Sequence, residues 1–169
     1  MNQIISTCLV AALLALGLLA CNTQPNTPVA QATLDAPATP GYDSAKAKAF
    51  GADEYGMKKY VFAFLKKGPN RDLPPEKAQA LQMAHLQNIQ RMAKAGQLVL
   101  AGPFFGDGDI RGIYVFNVPT IAEAEALTNT DPAIEAGSLA MELVEWYGSA
   151  ALMAVNDLHP AIAKKSITD

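Results

Sequence analysis

The chain is short of cysteine and histidine and has no basic excess, and each shortage removes a class of function. Only Cys8 and Cys21 occur in 169 residues, and only His85 and His159. Two imidazoles and no thiol in the globular part are too few ligands for a zinc or haem site. A net charge of -3 leaves no basic face, so nucleic acid is not an expected partner. No phosphate-cradling glycine loop or nucleophile elbow occurs either. No cofactor is expected. Asp107 and Asp109 have a calcium-like spacing, but they lack further acidic ligands and a suitably placed Glu, so they read as turn residues.

Charge is missing altogether from residues 1–20, where an apolar run from Ile4 stops at Leu18-Leu19-Ala20-Cys21. That tetrapeptide resembles a bacterial lipobox. The run is shorter than the about 20 apolar residues a spanning helix needs, and fits the apolar region of a signal peptide. It departs from the usual pattern in having no Lys or Arg before it, so only the Met1 amine supplies positive charge. The resemblance implies cleavage after Ala20 and acylation of Cys21, an anchor whose affinity grows by about 0.8 kcal/mol per buried CH₂. Asn22 is not a retention signal in this reading, which places the protein on the outer membrane facing the periplasm. Loss of Cys8 and lipidation of Cys21 would leave no disulfide, so the core alone must hold the domain.

Residues 21–56 are rich in Thr, Ala, Asn, Gln and Pro, and read as a disordered linker. A flexible coil of about 35 residues averages on the order of 30 Å end to end, enough to clear lipid headgroups. The globular domain is expected over 57–148, followed by a tail over 149–169. Tyr60, Phe62 and Phe64 alternate with Val61, Ala63 and Leu65, a period of two that predicts a strand buried on both faces. Pro74 and Pro75 open a helix whose apolar stripe carries Ala78, Leu81, His85, Ile89 and Met92, and Gly96 ends it. Leu98–Phe105 and Arg111–Val118 form a hairpin about Gly106-Asp107-Gly108-Asp109. Thr120 and Glu123 make a capping-box pattern for a helix from Ile121 to Thr128. Asp131-Pro132 caps a short segment closed by Gly137, and Leu139–Tyr147 is the last strand.

The order βαββαβ predicts an α+β, ferredoxin-like fold, with two helices on one face of a four-stranded antiparallel sheet. The other face also carries apolar side chains. An apolar sheet face of that size calls for a second copy, giving a homodimeric α+β barrel.

From His85 through Trp146 the chain resembles the YCII-related domain family. The resemblance rests on an ordered set: a helical His, Gly96-x-Leu98, Ala101-Gly102-Pro103, a strand containing Gly112, an Ala-rich helix, Asp131-Pro132, Gly137 and a last strand ending in Trp146. The stretches Phe64–Arg71 and Gly108–Gly112 resemble one subgroup. The family implies a dimeric ferredoxin-like fold with an active site built on His85 and Asp131. Relatives of this fold include muconolactone isomerases and a small dehydrochlorinase acting on a chlorinated aromatic.

Read without the family, His85 is an imidazole inside an apolar stripe, which is equally what a hydrogen-bonded core histidine looks like. Asp131 needs no role beyond capping. Brought together, the two would make an acid/base pair, because a carboxylate fixes the tautomer of an imidazole. Phe64, Gly102, Pro103, Phe104, Arg111 and Trp146 are the expected pocket residues, with core packing the competing account of the aromatics. Lys66, Lys67, Arg71 and Arg111 are either receptors for an anionic substrate or solvated surface cations. Two functions follow: a cofactor-free isomerase- or lyase-like enzyme acting on a small, partly apolar substrate, or a lipoprotein that binds a small ligand or plays a structural role without chemistry.

Overall fold

The computed structural model describes residues 41–169. The expected signal peptide, Cys21 and the linker up to residue 40 lie outside the described residues.

The first element is α1 (Ser44–Phe50), inside the stretch expected to be linker. Its N-cap is sound: the Asp43 carboxylate accepts from the Lys46 N–H at 2.9 Å, which satisfies one of the orphan donors of the first turn. None of its residues is buried, which is why no apolar pattern announced it.

Next come β1 (Met57–Lys67), α2 (Pro75–Lys94), β2 (Leu98–Pro103) and β3 (Ile110–Phe116). They are followed by α3 (Ile121–Thr128), α4 (Pro132–Glu135) and β4 (Leu139–Ser149). The strands form one sheet in the order β2-β3-β1-β4, antiparallel at every pairing. This is the ferredoxin-like arrangement, with α4 added before the last strand. The capping expectations hold at atomic level. Thr120 Oγ1 accepts from the Glu123 N–H at 3.2 Å, and Asp131 Oδ1 accepts from the Ala133 N–H at 2.9 Å.

The period of two in β1 divides two cores. Val61, Ala63 and Leu65 point to the helices and pack with Met92 of α2 and Ala124 of α3. Met92 is fully buried, and such a side chain contributes about 1.5–3 kcal/mol. Tyr60 points the other way and packs with Val99 and Val115. The expected tail covers one end of that second face. A 3₁₀ turn (Ala150–Ala154) brings Leu152 and Met153 against the Tyr60 cluster, and the Tyr60 hydroxyl donates to the Ser149 carbonyl at 3.0 Å. α5 (Val155–Ile162) follows, and its Asn156 side chain donates to the Leu98 carbonyl at 2.8 Å. The same face leaves Val144 43% and Trp146 38% exposed.

Residues 68–71 are stitched to the segment joining α4 and β4. The Gly68 N–H donates to the Ser138 carbonyl at 3.0 Å and the Asn70 N–H to the Gly137 carbonyl at 2.9 Å. A Cβ on Gly68 would stand 2.2 Å from the Gly137 carbonyl oxygen, and the clash is with backbone that no rotamer change relieves. Gly137 itself has a φ of 67°, the left-handed region that costs other residues steric strain. Overpacking of this kind typically costs about 1–3 kcal/mol. Gly68→Ala should therefore lower the melting temperature by on the order of 5 °C or more, measured by circular dichroism, whereas Gly41→Ala, with open space around the new methyl, should not.

Candidate active site

His85 stands in the third turn of α2, on the side facing the sheet, and is 6% exposed; Asp131, the residue before α4, is fully buried. Their side chains meet, with His85 Nδ1 2.7 Å from Asp131 Oδ2. A buried carboxylate is costly unless it is paired. Here both oxygens have partners, because Oδ1 already accepts from the Ala133 N–H. With the carboxylate ionised, Nδ1 carries the proton and Nε2 is left as the basic nitrogen of a neutral ring.

Nε2 lies 3.4 Å from the hydroxyl of Tyr114, and the two rings are near parallel at 6.2 Å between centroids. Burial, followed by the negative charge of Asp131 and a hydrogen bond to it, pushes the Tyr114 phenol far above its ordinary value. Tyr114 therefore stays a neutral donor. Sequence reasoning missed this residue, since a tyrosine alternating with Phe116 in a strand looks like core. Only the pairing of β3 with β1, which sets Tyr114 opposite Ala63, reveals which helix it faces.

Both His85 and Tyr114 border a cavity of about 500 Å³, within the usual range for small-molecule sites. Its walls include Leu73, Leu81, Leu86, Ile89 and Leu139, and its polar border includes Arg71 and Arg111. The exposed first turns of α2, carrying Ala78 and Leu81, form one wall rather than core. Ile167 from the C-terminal end reaches the same cavity, held nearby by Gln90, whose amide donates to Ser166 Oγ at 2.8 Å and to Thr168 Oγ1 at 3.0 Å.

The expected pocket residues separate into two sets. Gly102, Pro103 and Arg111 border the cavity. Phe64 and Trp146 do not, because strand alternation puts them on the opposite face of the sheet. Phe62 lies between them there, with ring centroids 5.0 Å from Phe64 and 5.9 Å from Trp146. Phe104 is 48% exposed, at the start of the loop between β2 and β3, outside the cavity. The four candidate cations divide as well. Lys66 pairs with Glu142, and Lys67 lies 3.8 Å from Asp109 Oδ1 while donating to the Asp107 carbonyl. Among the described residues Arg71 and Arg111 bond to backbone carbonyls, Arg71 to Ser138 at 2.8 Å and Arg111 to Gly106 at 2.8 Å and Gly108 at 3.5 Å. His159 sits exposed on α5, away from His85, beside a second cavity.

No curated protein sequence matches the chain. Among solved structures, the chain is similar to 5-chloro-2-hydroxyhydroquinone dehydrochlorinase from Burkholderia phenoliruptrix AC1100, in complex with 2,5-dihydroxybenzoquinone. The two are 22% identical over 51% of this chain and 92% of that one, with a TM-score of 0.39. The YCII-related domain matches residues 60–147, the span that holds the four-stranded sheet, His85, Tyr114 and Asp131 together. The chain belongs to the YCII-related domain family.

Proposed function

We propose that this is an envelope-anchored YCII-domain enzyme that moves a proton on a small, partly apolar substrate in an isomerase- or lyase-like reaction. The observation that supports the reading best is the 2.7 Å contact between His85 Nδ1 and Asp131 Oδ2 at the edge of a 500 Å³ cavity. His85 Nε2 is the general base and Asp131 the positioning residue, with Tyr114 a neutral donor beside them. In the elimination form, Nε2 takes a C–H proton, the C–H electron pair forms the new double bond, and the leaving group departs with its own pair. In the isomerase form the same proton returns to a different carbon. Both balance without an oxidant or reductant. A dehydrochlorinase reaction is of the first type, which makes halogenated hydroxyaromatics the first compounds to try. Asp131 also caps α4, and that favours the second reading, in which the domain binds a ligand and the pair is structural.

Replacing Asp131 separates the two. The oxygen facing Ala133 must stay an acceptor, so in Asp131→Asn the amide nitrogen faces His85 Nδ1 and donates to it. That moves the ring proton to Nε2 and removes the base. Asn caps about as well as Asp, so the fold should persist while ¹⁵N NMR reports a reversed tautomer for His85 and none for His159. Turnover of any compound the enzyme accepts should fall by 10²–10⁴ in kcat for both His85→Ala and Asp131→Asn, the range for loss of a general base. Unchanged turnover in either variant would make the pair structural.

We also propose a homodimer through the face bearing Phe62, Phe64, Val144 and Trp146. Leu152 and Met153 cover only one end of it, and the rest carries the Phe62, Phe64 and Trp146 rings in contact, with Val144 and Trp146 partly exposed. Light scattering on residues 41–169 at micromolar concentration should give twice the chain mass, and Trp146→Glu should halve it. Anchoring is proposed through Cys21. Metabolic labelling with a palmitate analogue should mark the wild-type chain and leave Cys21→Ala unlabelled, and label retained in the variant would remove the anchor.

A further inference from the structure

We propose that the cavity selects a compact organic anion, a carboxylate on an apolar or aromatic body, and that Arg71 and Arg111 are its specificity residues. The proposal deepens the enzyme reading above by naming the substrate class of the same site.

The argument is one of charge and wall chemistry. Two guanidinium groups border the cavity together with His85, and no carboxylate side chain does so among the described residues. Ion pairs elsewhere account for the neighbouring lysines, Lys66 with Glu142 and Lys67 with Asp109. Neither Arg71 nor Arg111 has an acidic partner among the described residues. Both are steadied instead by neutral backbone carbonyls, which orient a guanidinium without cancelling its charge. Arginine keeps further N–H donors after one such bond and presents them in a planar fork that matches a carboxylate. Asp131, the nearest acid to His85, spends its charge on the imidazole and the Ala133 N–H, sealed beneath the surface. Most of the remaining wall is apolar, with its leucines and Ile89 outnumbering Asn70, Gln82 and Ser138, so the preferred guest has one charged end and an apolar body.

The segment carrying Arg71 adds a reason for the placement. Asn70 Nδ2 donates to the Ala136 carbonyl at 2.9 Å and Arg71 to the Ser138 carbonyl, so the loop after β1 is pinned to the segment that follows α4. A cation fixed there stands at a constant position relative to Asp131 and His85. On the other side, Arg111 bonds to the Gly106 carbonyl, which ties it to the loop between β2 and β3.

Calorimetry of the full chain in a non-ionic detergent tests this with benzoate and its uncharged counterpart benzamide. Benzoate should bind, benzamide should bind at least 10-fold more weakly, and raising the ionic strength should weaken benzoate alone. Arg71→Gln and Arg111→Gln should each weaken benzoate by 10-fold or more, in line with loss of a charge-assisted hydrogen bond. Arg71→Lys and Arg111→Lys, which keep the charge, should recover part of the loss, and Lys66→Gln should change nothing. Equal affinity for the two probes, no binding of benzoate, or benzoate binding indifferent to both arginines would each overturn the proposal. Asp131→Asn, which keeps the cap and removes the base, makes its failure distinguishable from failure of the enzyme reading. Benzoate binding that survives in Asp131→Asn and still depends on the arginines upholds the anion site even if no turnover is ever found.

Discussion

Asp131 puts a carboxyl group where there is no solvent, and much of the molecule is arranged around that fact. An ionised carboxylate at zero exposure persists only where its oxygens are hydrogen-bonded. One oxygen is satisfied by α4, whose first turn points its Ala133 N–H at it, and the other by a side chain from α2, 46 residues earlier. Cap and pair are thus halves of one solution. Removing His85 would strand the charge, and breaking a buried pair by deleting one partner typically costs about 3–5 kcal/mol. The contact ties α2 to the start of α4, which is why a structural and a chemical account of it predict similar losses of stability and differ only in tautomer and turnover.

How far the sequence could be read depended on whether a feature is local. The alternation of β1, the caps at Thr120 and Asp131, and the stop at Gly96 are decided by residues within one turn or one strand, and all appear where expected. The meeting of His85 with Asp131 is not local; the family pattern carried it, since spacing alone says nothing about a contact across 46 residues. Tyr114 was hidden for a related reason. In a strand between two cores every large residue looks like packing, and only the register with β1 shows which face it serves.

The two misplaced aromatics follow from the same rule. Phe64 and Trp146 are expected beside Gly102 and Pro103 in the pocket, with core packing as the competing account, but a period of two makes facing an odd-or-even question. Leu65 and Leu143 face the helices, so Phe64 and Trp146 cannot. The short helix α1, legible only as a helical turn over Ser44–Phe50 that nothing in the pattern requires, buries no residue, and the C-terminal segment buries too few, Ala150 with the partly buried Leu152 and Met153, to show a period. Each stands by a few specific bonds, Asp43 to Lys46 in one and Asn156 to the Leu98 carbonyl in the other, and such bonds leave no periodic trace.

One segment joins the stability of the fold to the shape of the cavity. Residues 136–138 receive bonds from Gly68, Asn70 and Arg71, and they directly follow the helix that Asp131 caps. The close approach of Gly68 to the Gly137 carbonyl leaves no room for a side chain, so the rim of the cavity is set by backbone against backbone. Backbone contacts of that kind transmit displacement because packed interiors are stiff. A shift at Gly68 would move the Arg71 side of the rim and the Asp131 end of α4 together. Asp131 and Arg71 thus lie on segments joined through residues 136–138, and His85 is tied to the same end of the molecule through its contact with Asp131.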